Sequence, residues 1–175
     1  LDRADRGGSL STVELLRVAG VLRAARSVKN YADTDAQDSC LDPLFFSLNA
    51  NRHLEDRITN SILSEDEIAD AASHELADIR RHMRIQSAKA RESLQRIISS
   101  PTYAKFLQEP IITMRDGRYV VPVKAECKGS IPGLVHDVSS SGSTFFIEPM
   151  QSVNANNELR ELLLREQKEI ERILS

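Results

Sequence analysis

Apolar residues return every three or four positions along two long stretches of this chain, and every second position along a shorter stretch between them. Ser11-Thr12-Val13-Glu14 has the spacing of a capping box: the serine hydroxyl takes an orphan amide and the glutamate reaches back. Leu15, Leu16, Val18, Ala19, Leu22, Ala25 and Val28 then fall on one helical stripe. Leu1 to Ser9, polar and with a Gly-Gly pair, reads as a loop, and Asp33 to Ser39 as a polar connection. Pro43 suits a first helical turn, with Leu44, Phe45 and Leu48 behind it. Leu54, Ile58 and Ile62 make a further short apolar face.

Ser64-Glu65-Asp66-Glu67 has the same capping spacing, with acids where the helix dipole favours them. No Pro or Gly follows until after Ser99, and Ile68, Ala72, Leu76, Ile79, Met83, Ala90, Leu94 and Ile97 form a narrow seam with a gap at Gln86. The pattern predicts one helix from Ser64 to Ser99, roughly 50 Å long at 1.5 Å per residue. Leu159, Leu163, Glu166, Ile170 and Ile173 repeat the spacing near the end, with Glu166 the polar exception. Two such seams predict an antiparallel helix pair; the alternative is two separate core helices.

Between the seams the period changes to two. Asp116-Gly117 between apolar runs is a two-residue hairpin signal. Tyr119, Val121 and Val123 alternate with Val120, Pro122 and Lys124, and Pro122 lacks a ladder donor, which predicts an edge strand. Leu134 to Val138 and Thr144 to Ile147 read as a second hairpin turning at Ser140 to Ser143, closed by Pro149. The expected fold is therefore mainly α with a small antiparallel β insertion. Its parts are a helical core segment at 1–63, an outgoing helix with a short helix at 64–108, a β-rich insertion at 109–149, and a returning helix at 150–175.

Composition changes this picture little. The chain has 175 residues, 41% apolar and 28% charged, which suits a soluble globular chain with a real core. It has no Trp, and its net charge of -3 carries no global nucleic-acid signature. Cys40 and Cys127 lie far apart in different elements and read as reduced thiols rather than a disulfide or a metal site. No apolar run approaches the ~18 residues of a membrane span, and no signal peptide is visible, so a cytoplasmic protein without membrane contact is expected. The chain starts without Met and stops inside a helical pattern, as a piece excised from a longer protein would.

Catalytic chemistry finds few candidates. His136 and Asp137 are adjacent on a strand, where neighbouring side chains point to opposite faces, so they do not orient one another as a dyad. The serines from Ser139 to Ser143 lack the context of a nucleophile elbow or of a phosphate-binding loop. Asp70 and His74 stand four apart, with His82 two turns further on, but no third ligand sits at a recognised metal spacing. Neither catalytic nor metal residues are assigned, and no G-x-x-x-x-G-K-[ST] loop occurs to hold a nucleotide.

One local bias stands out. From Arg80 to Lys105 the basic residues Arg80, Arg81, Arg84, Lys89, Arg91, Arg96 and Lys105 meet a single acid, Glu92. Such a strip can follow a phosphate backbone; alternatively it is a solvated face balanced by the acidic returning helix, where Glu161, Glu166, Glu169 and Glu171 alternate with basic residues. The candidate nucleic-acid-binding residues are Arg80, Arg81, Arg84, Lys89 and Arg91, with Arg115, Arg118, Lys124 and Lys128 from the insertion.

Arg118-Tyr119-Val120-Val121-Pro122-Val123-Lys124, His136-Asp137-Val138-Ser139, Ser141-Gly142-Ser143-Thr144, Ile147-Glu148-Pro149 and Asn156-Asn157-Glu158-Leu159-Arg160-Glu161-Leu162 stand in this order along the chain. Together with Glu67 to Ser73, Leu76, Ile79-Arg80 and Ser11 to Leu16, they resemble the second bacterial branch of the MutS family, MutS-II. The resemblance implies a helical core, two lever helices and a clamp at their end. It also implies a dimeric parent protein with an ATPase domain using ATP and magnesium, and an endonuclease domain, none of them within these residues. Two functions are implied for the parent. One is binding branched DNA and suppressing homologous recombination; the other is gripping stalled or collided ribosomes through rRNA while ATP turnover splits them. A plain dimerisation scaffold is a weaker third reading.

Overall fold

The computed structural model describes residues 2–34 and 40–175. Residues 35–39, most of the expected polar connection, lie outside the described residues. The described residues are mainly helical with small antiparallel sheets. They divide into two compact units, Leu1–Ala77 with Lys168–Ser175, and Asp78–Gln167.

In the first unit a short helix α1 (Asp2–Asp5) replaces part of the expected leading loop, and α2 (Thr12–Thr34) follows. The capping box at Ser11 forms as its spacing requires: the Glu14 amide donates to Ser11 Oγ at 3.3 Å and the Ser11 amide to Glu14 Oε2 at 2.8 Å. Helices α3 (Asp42–Ser47) and α4 (Arg52–Ser61) come next, the latter capped by Asn51 Oδ1, which accepts from the Leu54 amide at 3.1 Å. Ala19, Ile58, Ile62, Ile68 and Leu76 form the core, with Ile170 and Ile173 packed against it. Burying each of these larger aliphatic side chains contributes about 1.5–3 kcal/mol.

The second capping signal misleads. Ser64 does not open a helix; it ends strand β1 (Ile62–Ser64), and Glu65-Asp66 turn the chain into β2 (Glu67–Ile68). A 3₁₀ turn at Asp70–Ala72 follows, and the long helix α5 spans His74–Ile98. Its cap is Ser73, whose Oγ accepts from the Leu76 amide at 2.9 Å. Twenty-five residues make a helix of about 37 Å rather than 50 Å. The physical reason is burial: Ile62 and Ile68 pair across the hairpin and both enter the core, which a helix starting at Ser64 would not allow. Asp70 therefore lies in the 3₁₀ turn ahead of the helix that His74 opens, and not on one helix face with it.

In the second unit, α6 (Pro101–Ala104) leads to β3 (Thr113–Arg115), β4 (Arg118–Lys124), β5 (Gly133–Val138) and β6 (Thr144–Pro149), antiparallel in the order β3-β4-β6-β5. Asp116 and Gly117 carry φ of 51° and 74°, the left-handed pair that a two-residue hairpin turn demands. Strand β4 is not an edge. It pairs with β3 over Arg118–Val120 and with β6 over Val121–Lys124. Pro122 is tolerated because its backbone faces away from β6: the Pro122 carbonyl accepts from the Gln108 amide, and the Lys124 amide donates to the Phe106 carbonyl, each at 2.9 Å. The missing N–H falls on that outer side, beyond the end of β3, where it removes no ladder bond to β6. Leu94, Ile97, Leu107, Val121, Val123 and Ile147 form this unit's core.

Helix α7 (Val153–Leu174) returns. Within the second unit it runs antiparallel to α5, with Arg80 Nε donating to Glu166 Oε1 at 2.6 Å. Its buried positions differ from the expected seam: Leu159 and Leu162 are each 8% exposed, whereas Leu163 is 46% exposed. Glu166 and Glu169 are not on a solvated face either. The first is largely covered with Arg80, and Glu169 is buried among Ser73 and Arg172.

Candidate nucleic-acid interface

The nine predicted cations fall into three groups. Arg81, Arg84, Lys89 and Arg91 are exposed on α5. Arg81 Nη2 donates to Asp78 Oδ1 at 3.1 Å, an exposed pair of the kind contributing about 0–1 kcal/mol. The Arg91 guanidinium lies 5.4 Å from the Tyr119 ring centroid. Glu92, the one acid in the strip, accepts from Arg96 Nη2 at 2.5 Å. A second group gathers on the sheet. Lys124 Nζ donates to the Lys105 carbonyl at 3.1 Å, and Lys128 Nζ sits 4.8 Å over the Phe145 ring. These neighbour the serine turn, because Lys124 and Thr144 are cross-strand partners.

The third group is held by carboxylates, Arg80 and Arg118 in covered pairs and Arg115 in an exposed one. Arg80 is bound to Glu166 as described. Arg115 lies 3.9 Å over the Phe146 ring, with Nε donating to Asp137 Oδ2 at 3.1 Å. Arg118 is 13% exposed and donates from Nη1 to Glu148 Oε1 at 2.7 Å and from Nη2 to Asn157 Oδ1.

Glu148 is the hub that sequence reasoning missed. It is fully buried, and its carboxylate takes Arg118, His136 Nε2 and the Asn156 amide, the last at 2.7 Å. Asn156, equally buried, also takes the Tyr119 amide and gives to the Tyr119 carbonyl, each at 3.3 Å. One side chain of α7 thus supplies the backbone of β4 with the pairing a neighbouring strand would give. A lone acid between Ile147 and Pro149 in an apolar strand was the available signal.

His136 sits at an irregularity in the β5–β6 register, between Val135 and Asp137. Strict alternation therefore fails locally. The two side chains still take separate partners, His136 engaging Glu148 and Asp137 engaging Arg115. The serines bind one another: Ser141 and Ser143 hydroxyls are 2.7 Å apart, and Ser139 Oγ accepts from the Thr144 amide at 3.1 Å.

Two further buried carboxylates are structural. Bonding to Arg26, reinforced by Arg23, lowers Glu55 to about 2; bonding to Arg172, reinforced by Ser73, lowers Glu169 to about 2. Among the described residues, no group of three or more His, Cys, Asp or Glu is arranged to hold a metal ion, and no helix is long and apolar enough to cross a membrane.

An open groove accompanies the α5 cations within the second unit. It measures about 500 Å³ and lies between α5, the β3–β4 hairpin and α7, with Arg84 and Arg91 among its lining residues. A neighbouring groove of about 570 Å³ shares Arg91, Met114 and Tyr119.

No family model matches the chain. Among curated proteins it is 52% identical to an Endonuclease MutS2 of Ruminiclostridium cellulolyticum, which it matches over 100% of its own length and 22% of the relative's. It is 51% identical to an Endonuclease MutS2 of Acetivibrio thermocellus over 99% of its length, and 48% identical to that of Pelotomaculum thermopropionicum over 100%, again 22% of each relative. The chain therefore spans about a fifth of the length of the relatives it matches. End-to-end identity at this level places these 175 residues in the MutS2 branch of the MutS family, as a portion of a larger protein.

Proposed function

We propose that these residues are a non-catalytic, nucleic-acid-contacting part of a MutS2 protein that binds branched DNA and restrains homologous recombination. The observation that carries the reading is the exposure of Arg81, Arg84, Lys89 and Arg91 along one helix, on which Asp78 is paired with Arg81 and Glu92 with Arg96. Contacts of this kind release counterions and give salt-dependent affinity. Lys124 at the end of β4 and Lys128 beyond it, with Lys105 at the end of α6 beside Lys124, add a second set of cations. Arg80 and Arg118, whose pairs with Glu166 and Glu148 are largely covered, support the surface from within, whereas Arg115 stays partly exposed beside Asp137.

Catalysis by the whole protein, including the endonuclease activity that the relatives' name states, belongs in this proposal to residues beyond these 175. The same holds for ATP and magnesium: the chain has no phosphate-binding loop to cradle them, and no step here runs through them. The parent is proposed to act as a cytoplasmic homodimer.

Fluorescence anisotropy with branched DNA, plain duplex and ribosomal RNA at two salt concentrations tests the proposal. Preference for branched DNA, weakened by salt and by reversing Arg81 and Arg84 to Glu, is expected. Affinity insensitive to both would overturn nucleic-acid contact, whereas preference for rRNA or ribosomes would transfer the same surface to ribosome rescue.

A further inference from the structure

The groove beside α5 has a composition that a phosphate-tracking strip does not need. Its floor is aliphatic, built from Met83 and Ala88 of α5, Met114 of β3, and Leu159 and Leu163 of α7. Met114 and Leu163 are 49% and 46% exposed, so this floor is open to solvent. Its charged lining residues are two arginines, and exposed Asp116 adjoins the lining Gly117. Arg84 and Arg91 line it two turns apart on α5, and exposed Arg160 lies one turn before Leu163 on α7. The neighbouring groove adds one acid, Glu92, held by Arg96. Tyr119 stands at the junction with Arg91 over its ring, and its hydroxyl pairs with the Ser87 hydroxyl at 2.7 Å.

An apolar floor edged on one side by two arginines suits a partner that is apolar in its body and anionic at its edge. A nucleotide unstacked from its neighbours has that chemistry: a planar base to shelter and a phosphate for the rim. Guanidinium planes and aromatic rings are the usual platforms for splayed bases, and Arg91 on Tyr119 supplies such a platform. The groove's about 500 Å³ falls in the range of roughly 300–1,000 Å³ typical of ligand pockets. A base still stacked in a duplex cannot enter it.

We infer that this groove takes an unpaired nucleobase, with Arg84 and Arg91 holding the flanking phosphates, so that the surface favours nucleic acid containing unpaired residues over intact duplex. The inference rests on the nucleic-acid reading above and adds to it a basis for discrimination. Single-stranded DNA and RNA share this chemistry, and the test separates them.

The test compares a single-stranded 12-mer with the same oligomer carrying abasic sites at its central positions, in deoxy and ribo forms, against wild type and Ala88→Leu. Ala88 is exposed, so the added side chain fills the groove without entering either core. The expected result is that removing the bases weakens binding to wild type by about tenfold, in line with stacking contributions per base. Ala88→Leu should erase most of that difference while leaving duplex affinity unchanged. Leu163→Ser, which removes apolar floor at a half-exposed site, should behave likewise. Equal affinity of wild type for normal and abasic oligomers at salt-sensitive strength would overturn the groove inference and leave backbone contact standing. Absence of any oligonucleotide binding at low salt would overturn both. Concentration-dependent self-association abolished by Ala88→Leu, read by sedimentation in the same buffer, would give the groove to a second copy and refute the inference.

Discussion

Replacing Arg118 by Met should destabilise the second unit strongly, although Arg118 stands beside a hairpin turn where sequence reading placed a nucleic-acid contact. Glu148 has no exposed surface, and Arg118 is 13% exposed, so the pair is shielded from solvent. Removing one partner of a buried pair costs about 3–5 kcal/mol, because the remaining charge is left short of compensation. The Asn156 amide and His136 still reach the carboxylate, which points to the lower end, about 3 kcal/mol. For a chain of this size 1 kcal/mol corresponds to about 2–4 °C, so Tm should fall by roughly 6–12 °C. The chain has no Trp, so urea unfolding followed by far-UV circular dichroism is the suitable assay. Arg96→Gln, which breaks a pair with side chains 74% and 65% exposed, is the control and should cost at most about 1 kcal/mol. Combining Arg118→Met with Glu148→Gln should recover at least about 1 kcal/mol relative to the sum of the single changes. A loss from Arg118→Met no larger than the control, or strict additivity in the double variant, would refute the reading of Glu148 as a hub.

The remaining predictions concern the first unit and the helices. Glu55 and Glu169 are both lowered from about 4.5 to about 2 on folding, so the stability they contribute is complete above pH 4.5 and is lost as pH falls through 2. An acid titration of Arg26→Gln should show a reduced stability slope between those values, and a slope identical to wild type would contradict the assignment for Glu55. Ser73→Ala removes both the cap on α5 and the hydroxyl bond to Glu169, and should cost about 1–2 kcal/mol by urea unfolding. Met83→Pro, inside α5, should cost about 3 kcal/mol or more; a variant melting like wild type would show that the helix is not continuous there.

Local signals were legible in the sequence wherever one interaction decided the outcome. The Ser11–Glu14 capping box, the Asp116-Gly117 turn and the serine turn each follow from a few adjacent residues. Ser64-Glu65-Asp66-Glu67 satisfied the same local rule as Ser11–Glu14 and failed, because pairing of Ile62 with Ile68 buries both, and no local pattern reports that gain. Pro122 reads as an edge marker by its missing donor, which is a local fact, whereas the side on which that donor would point is set by the strand register. The α7 seam predicted from spacing lies one residue off at Leu163: Leu162 is buried in its place, and Leu163 is exposed on the groove floor. At the candidate interface, charge was legible and partnership was not. Arg80 and Arg118 look like Arg81 in sequence, and only the burial of their pairs with Glu166 and Glu148, against the exposed pair of Arg81 with Asp78, separates them.

Nucleic-acid contact through the exposed face of α5 is the central claim, and the salt dependence of binding tests it most directly. Affinity for duplex and branched DNA would be measured across a series of salt concentrations for wild type and for the Arg81→Glu, Arg84→Glu double variant. Each phosphate contact contributes about -0.9 to the slope of log affinity against log salt, so losing two should make the slope shallower by roughly 2 and weaken binding at low salt. A slope unchanged by the double reversal would mean that these side chains touch no phosphate, and would contradict the account.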